Sequence, residues 1–191
     1  MKKFLLALLA SLIPLAAVAA NPQVELKTSQ GPILIELFPE AAPVTVANFL
    51  QYAKSGFYDG LIFHRVINGF MIQGGGFDAQ MNQKTVGAPI RNEAEKAMSK
   101  GVRNAPGYLS MARTNDPHSA TAQFFINLVD NRTLDYPSRD GFGYAAFAKV
   151  IKGMEVVNGI ANVRTGDNGP HQNVPLTPVV IQSVRVIEAQ P

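Results

Sequence analysis

The chain has 191 residues, no cysteine, and 17 basic against 14 acidic side chains. The absence of cysteine excludes disulfides, thiolate catalysis and cysteine-rich zinc sites. Charges of both signs are mixed along the chain without a lysine or arginine cluster, so we expect neither nucleic acid nor an anionic membrane as a partner.

The first twenty residues have the layout of a secretory signal peptide. Lys2 and Lys3 form a short positive head, and the run from 4 to 20 carries no charge and ends in small residues. This pattern predicts export and cleavage after Ala20 rather than a permanent membrane anchor. The remainder, 21–191, holds 15 basic and 14 acidic residues and has the size of one domain. We expect a periplasmic location if the source has two membranes, and secretion otherwise.

Alternating apolar residues open the mature chain. Apolar or β-branched side chains at 24, 26 and 28 alternate with charged ones, a turn containing Gly31 and Pro32 follows, and a second apolar run covers Ile33 to Phe38. Together they predict a β-hairpin. The next apolar residues recur at helical spacing and predict a helix from Val44 to Ser55, with Gly56 as its left-handed stop.

Six later runs are rich in β-branched or aromatic residues and are bounded by turn-forming residues, which predicts strands. They span Leu61 to Ile67, Phe70 to Gln73, Tyr108 to Ala112, Gln123 to Leu128, Tyr144 to Ile151 and Val179 to Ile187. A second helix is predicted from Glu155 to Ala161. Because strands far outnumber helices, we expect a mainly β fold, a closed eight-stranded antiparallel β-barrel capped by two α-helices. The long connections 77–107 and 130–143 are expected to line a functional surface.

The residues that most often carry hydrolytic or metal chemistry lack the required spacing. Ser110 has no nucleophile-elbow glycines around it, and His64, His118 and His171 form no short-spaced ligand pair. The glycines at 74 to 76 are not followed by the Lys and Ser/Thr of a phosphate loop. They are expected to let the backbone bend or to make room for a ligand. No cofactor and no metal is expected.

One arginine stands among large apolar residues. If strand alternation continues through the Asn68-Gly69 turn, Arg65, Phe70 and Gln73 share a surface, although an ordinary exposed charge is the alternative interpretation of Arg65. A guanidinium beside an apolar cleft suits rotation about an X-Pro bond. That rotation faces a barrier of about 18–20 kcal/mol and needs no acid, base, metal or cofactor.

Two sequence blocks resemble the cyclophilin-type peptidyl-prolyl cis-trans isomerases, close to the exported bacterial members. The first comprises Phe63-His64-Arg65-Val66-Ile67 and Gly69-Phe70-Met71-Ile72-Gln73-Gly74-Gly75, and the second is Ser119-Ala120-Thr121-Ala122-Gln123-Phe124-Phe125-Ile126. The similarity extends from about Val24 to Ile187. It implies an eight-stranded antiparallel barrel with two helices, and isomerisation of X-Pro bonds in exported, incompletely folded proteins.

The resemblance also implies roles for individual residues. Arg65 is expected to be the catalytic guanidinium and Gln73 to orient it. The residues expected to line the proline pocket are Phe70, Met71, Phe125 and Leu134, and those expected to border the peptide groove are Ala112, Arg113 and Gln123. Each residue also has an alternative interpretation when it is taken singly. The apolar residues could simply pack in the core, and Gln123 could be a strand residue whose amide is satisfied within the protein.

Three positions depart from the family pattern. Thr133 replaces a common tryptophan that donates a hydrogen bond to cyclosporin, so weak binding of that drug is expected. Tyr144 replaces a histidine and preserves an aromatic wall, and Arg113 replaces an asparagine, which leaves the side-chain contacts there open. The alternative function is a proline-peptide binding module or holdase with little turnover. Proline-containing peptides and unfolded exported proteins are the expected partners of a monomer without a stable membrane anchor.

Overall fold

The computed structural model describes residues 20–187, so the predicted signal peptide lies outside the described residues except for Ala20. Ten strands are present in this range: β1 Gln23–Thr28, β2 Gly31–Leu37, β3 Leu61–Ile67, β4 Met71–Asp78, β5 Tyr108–Met111, β6 Phe124–Asn127, β7 Ala146–Lys152, β8 Thr165–Asn168, β9 His171–Pro175 and β10 Ile181–Ile187. Eight of them form one sheet in the order β10-β1-β2-β7-β5-β6-β4-β3, and β8 pairs with β9.

The eight-stranded sheet curls so that its two end strands approach each other. Ile62 in β3 and Val180 beside β10 form an isolated antiparallel bridge. The N–H of Gly60 donates to the carbonyl of Ile181 at 2.9 Å. The predicted mainly β fold with eight antiparallel strands is therefore confirmed. A closed barrel stays a prediction, because the link between the end strands in the described part of the chain is an isolated bridge and not a paired ladder.

Three α-helices and one short 3-10 helix accompany the sheet. They are α1 Pro43–Lys54, α2 Ala94–Ser99, α3 Met154–Ala161 and the 3-10 helix Arg132–Leu134. The two predicted helices correspond to α1 and α3, whereas the short α2 lies in the predicted connection 77–107 and corrects the expected number of two. Gly56 has the predicted left-handed conformation, with φ +68°. Phe49 of α1 packs on Tyr58, Phe124 and Phe147 at ring-centroid distances of 5.2 to 5.7 Å, which joins the helix to the sheet through one aromatic core.

A distant carboxylate caps the beginning of α1. Ala42 precedes the helix and has no polar side chain, while Pro43 has no N–H to satisfy. Glu93 supplies the missing acceptor: its carboxylate accepts from the N–H of Val44 at 3.2 Å, and from the N–H and hydroxyl of Thr45, both at 2.8 Å. A negative charge at a helix N-terminus also interacts favourably with the helix dipole. The long connection that carries Glu93 is thus fastened to α1.

The β8–β9 hairpin was not predicted from the sequence. Its first strand, Thr165–Asn168, is polar and mostly exposed, so it lacks the apolar alternation by which the other strands were recognised. His171 in β9 packs its ring on Phe77 of β4 at 5.0 Å. The hairpin therefore lies beside the β3–β4 pair. Within residues 20–187, no helix is both long enough and apolar enough to cross a bilayer.

Candidate active site

Three neighbouring strands place a row of functional side chains on one face of the sheet. Arg65 of β3 is opposite Gln73 of β4, and Gln73 is in turn opposite Phe125 of β6. Directly opposed residues project to the same face of a sheet, as do residues two apart on one strand, which adds Met71 to the row. This register confirms the predicted common face for Arg65 and Gln73, whereas Phe70 precedes β4 and joins them as part of the cavity lining.

A small cavity of about 110 Å³ lies over this row. Every residue that lines it was predicted as a site residue: Arg65, Phe70, Met71, Gln73, Ala112, Arg113, Phe125, Leu134 and Tyr144. Met71 and Phe125 are almost fully buried, with 1% and 4% of their surface exposed. An apolar protein cavity of about 150 Å³ accommodates benzene, so this cavity has the scale of one small ring.

Two glutamine side chains hold the arginine at the edge of this cavity. The guanidinium Nη1 of Arg65 donates to Oε1 of Gln73 over a long 3.4 Å, and Nε2 of Gln73 donates to Oε1 of Gln123 at 3.0 Å. Because a guanidinium has no acceptor, Gln73 must present its oxygen to Arg65 and its amide nitrogen to Gln123. Arg65 itself is exposed, so its remaining donors are accessible.

Gln123 lies beside the cavity rather than in its lining. It lines two adjoining grooves, each of which also includes Gln73 and Arg113. Its amide packs on the backbone of Gly76, where an added Cβ would lie 2.5 Å from the side-chain carbon Cδ. Gly75 has φ +83°. The glycine run therefore bends the backbone, as predicted, and at Gly76 it makes room for a side chain of the site.

Arg113 borders the cavity and both adjoining grooves, as expected, and its guanidinium is bound within the protein. It lines the cavity, but its side chain is only 3% exposed. Its guanidinium donates to the carbonyl oxygens of Thr114 and Gly143 at 2.9 to 3.2 Å and to the carboxylate of Asp140. The ring of Tyr144 lies 4.4 Å from its Cζ. These contacts are all within the protein, so the arginine binds the loop that carries Tyr144.

A buried polar network lies beneath the cavity and was not predicted. Asp135 accepts from the N–H and side-chain amide of Asn104 at 2.7 and 2.9 Å. Asn131 donates to the carbonyl of Phe70 at 3.0 Å and to Oδ1 of Asn127 at 2.8 Å. Because unpaired buried polar groups are costly, this network fixes the backbone at the pocket residue Phe70. The signal available from the sequence was the excess of Asn and Asp in the two long connections.

Both sequence blocks and all but the last residue of the eight-stranded sheet fall within a match to a known family. Residues 23–186 match the family described as cyclophilin type peptidyl-prolyl cis-trans isomerase. The chain belongs to this family. Membership in this family of enzymes confirms the predicted isomerase function.

Curated relatives and solved structures agree with this membership. The isomerase is 53% identical over 175 residues to peptidyl-prolyl cis-trans isomerase A of Dickeya dadantii, a match that covers 92% of this chain and 90% of the relative. It is 55% identical over 163 residues to peptidyl-prolyl cis-trans isomerase B of Escherichia coli, with 84% and 97% covered. A cyclophilin type isomerase structure from Cryptosporidium parvum superposes with a TM-score of 0.71 at 26% identity, over 89% of this chain and 99% of that one.

The histidines of the isomerase lie outside the cavity lining. His64 is 5% exposed and packs on Phe77 at 4.7 Å, and its Nδ1 has no hydrogen-bond partner among the described residues. Burial, followed by the charges of His171 and Arg65, lowers the pKa of His64 to about 4, so the ring is neutral near pH 7. Within residues 20–187, no group of three His, Asp or Glu side chains is arranged to hold a metal ion.

Proposed function

We propose that this isomerase binds the ring of a substrate proline in the 110 Å³ cavity and uses Arg65 to stabilise the twisted X-Pro bond. The observation that carries the proposal is the joint position of a charged donor and a ring-sized cavity with apolar side chains in its wall. Phe70, Met71, Phe125 and Leu134 supply apolar contacts to the ring, and Tyr144 completes the wall. Ala112, Gln73 and Gln123 border the path of the peptide on either side of the proline.

The chemistry follows from the electronic structure of the amide. In the planar amide the nitrogen lone pair is delocalised into the carbonyl, which gives a barrier of about 18–20 kcal/mol. Twisting localises the lone pair on the prolyl nitrogen and makes that nitrogen a better acceptor. A guanidinium donor placed there stabilises the twisted form more than either planar form, which is the requirement for catalysis. Each increment of about 1.4 kcal/mol in this differential stabilisation increases the rate tenfold.

The two glutamines support this role because they restrict the orientation of Arg65. An arginine free in solvent must lose side-chain entropy when it engages the transition state. Gln73 reduces that loss by binding one end of the guanidinium, and Gln123 fixes Gln73. The remaining N–H groups of Arg65 stay available to the peptide. Because folding already orders the arginine, the entropy cost of orienting it is not added to the activation free energy of the reaction.

We further propose that the isomerase acts after export, as a monomer without a membrane anchor, on incompletely folded proteins. The uncharged run with its basic head in residues 1–20 supports export. Prolyl isomerisation otherwise takes tens of seconds or longer and limits folding, so newly exported chains are suitable substrates. N-terminal sequencing of protein from the extracytoplasmic fraction tests this: a mature chain starting at Asn21 is expected, and an intact Met1 in the cytoplasm would contradict it.

The activity is tested by NMR exchange spectroscopy on a short X-Pro peptide. The natural protein is expected to produce cis-trans exchange cross-peaks at substoichiometric concentration. Arg65→Ala is expected to reduce the exchange rate by about 10²-fold, the usual cost of removing one transition-state donor. Arg185→Ala is the matched control, because Arg185 pairs with Asp59 and neither residue lines the cavity. Peptide binding without exchange by the natural protein would instead favour the holdase alternative.

A further inference from the structure

The loop from Ser138 to Tyr144 is held by one buried arginine. Nε and Nη2 of Arg113 donate to the carbonyl of Gly143 at 3.2 and 3.1 Å, and Asn92 donates to the same oxygen at 2.9 Å. A guanidinium that is 3% exposed is stable only when its donors are satisfied. Nη1 donates to the carbonyl of the neighbouring Thr114, and the acceptors of Nε and Nη2 belong to the loop, so the loop position and the arginine position depend on each other.

Asp140 completes this attachment, which we call the Arg113–Asp140 clamp. Its carboxylate accepts from Arg113 and from the N–H groups of Phe142 and Gly143, both at 3.0 Å. The two backbone N–H groups, and then Arg113, hold the pKa of Asp140 at about 2. The carboxylate is therefore charged at every pH suited to an activity assay.

Gly143 connects the clamp to the proline pocket. A Cβ on this glycine would lie 2.8 Å from the carbonyl oxygen of Leu134, so the glycine packs directly on that segment. The N–H of the next residue, Tyr144, donates to the same carbonyl of Leu134 at 2.8 Å. The Tyr144 ring also packs edge-on against Phe125 at 5.8 Å. The clamp consequently sets the spacing between three residues of the pocket wall.

We propose that Arg113 is a positioning residue that, with Asp140, fixes the width of the proline pocket and so its selectivity for a five-membered ring. The proposal rests on the proposed function, because it takes the cavity to be the proline site. Arg113 acts through Leu134 and Tyr144 and not by contact with the reacting bond. Its planar fork is essential, since one lysine ammonium cannot reproduce the bonds made by Nε, Nη1 and Nη2.

The test compares two peptides that differ by one ring methylene, X-Pro and X-pipecolic acid. The kcat/KM of the natural protein is expected to be about tenfold or more higher for the prolyl peptide, because one additional methylene in an apolar pocket changes kcat/KM by that factor. Arg113→Lys and Arg113→Ala are expected to lose most of that preference, with KM for the prolyl peptide rising more than kcat falls. Arg185→Ala, which breaks an Arg–Asp pair away from the pocket, should retain the preference.

The preference ratio separates positioning from a loss of folded protein, which would lower both activities equally. An unchanged ratio in folded Arg113 variants would overturn the proposal. If those variants do not fold, the same ratio is measured for Asp140→Asn. A partial loss of the proline preference is expected, and an unchanged ratio would contradict the clamp. If the natural protein isomerises neither peptide, the proposed function itself fails, which is a distinguishable result.

Chemical rescue tests whether the guanidinium group is responsible. Millimolar guanidinium chloride is expected to restore part of the proline preference to Arg113→Ala, because the small cation fits the vacated place between Asp140 and the carbonyl of Gly143. These concentrations lie far below the molar range that unfolds proteins. Sodium chloride at equal ionic strength is the control, and equal recovery in both salts would contradict a specific clamp.

Discussion

The side-chain amide of Gln73 donates to Oε1 of Gln123 at 3.0 Å, although the two residues are fifty positions apart in the sequence. The contact joins β4 to the segment before β6. Since Gln73 also accepts from Arg65, the orientation of the arginine depends on a residue that does not line the proline cavity. Changes at Gln123 and at Gly76 should therefore affect Arg65 through Gln73.

Gln123→Met keeps the length of the side chain and removes the acceptor for Gln73. We expect kcat/KM on an X-Pro peptide to fall about tenfold, which corresponds to the free energy of one oriented hydrogen bond. The free energy of unfolding should change by less than about 1 kcal/mol. Gln51→Met is the control, because Gln51 lies on α1 in a different groove. Full activity of Gln123→Met would show that Gln73 needs no second anchor.

Gly76→Ala places a methyl group where the Gln123 amide lies. The added Cβ would be 2.5 Å from Cδ of Gln123, so the glutamine must move away from Gln73. We expect a loss of activity similar to that of Gln123→Met, measured by the same exchange assay. Gly159→Ala in α3 is the control: apart from its chain neighbours and the backbone of its own helix, no described atom lies within 4 Å of the added Cβ, and alanine favours a helix by about 0.5–1 kcal/mol. If the two alanine variants had equal activity, the steric account of Gly76 would be wrong.

Glu93→Ala removes the carboxylate that caps α1. The N–H groups of Val44 and Thr45 then lose their acceptor, and we expect the free energy of unfolding to fall by about 1–2 kcal/mol in urea titration. Glu40→Ala changes the same kind of residue at an exposed site before the helix and should have little effect. Equal stability of both variants would mean that water replaces the cap without cost.

The buried His64 predicts a pH dependence of stability. Its folded pKa of about 4 lies below the ordinary 6.5, so the unfolded chain binds the proton more readily. The free energy of unfolding should therefore fall as the pH decreases from about 6.5 to about 4, the range between the two pKa values. His64→Phe preserves packing on Phe77 and should flatten this dependence in urea titrations at several pH values. An unchanged slope in the folded His64→Phe variant would contradict this assignment.

Thr133→Trp tests the expectation of weak cyclosporin binding. Thr133 is exposed and lies in the 3-10 helix directly before the pocket residue Leu134. An indole there supplies one N–H donor and a large apolar surface, so we expect at least about a tenfold gain in affinity, or about 1.4 kcal/mol. Isothermal titration of both proteins measures it. Tight binding by the natural protein would contradict the expectation.

Local patterns in the sequence predicted the eight strands of the main sheet, and the family resemblance supplied most of the residues that line the cavity. Residues 65–67 pair in regular register with 71–73 across a recognisable turn, and Gly56 follows α1 in the predicted left-handed conformation. Three features depended on distant partners and had no local pattern. Arg113 pairs with Asp140, which lies 27 residues later in the sequence. Glu93 caps α1, and the polar strand β8 is stabilised by its pairing with β9. Tertiary contacts, rather than local propensity, determine such features.

In the proposed mechanism, Arg65 stabilises the twisted bond more than the bound planar peptide. NMR line-shape analysis of a saturating X-Pro peptide gives both the affinity and the interconversion rate of the bound isomers. For Arg65→Ala we expect bound-state interconversion about 10²-fold slower and an affinity within about fivefold of the natural protein, because the cavity is retained. Equal losses of affinity and rate, or an unchanged interconversion rate, would contradict the claim.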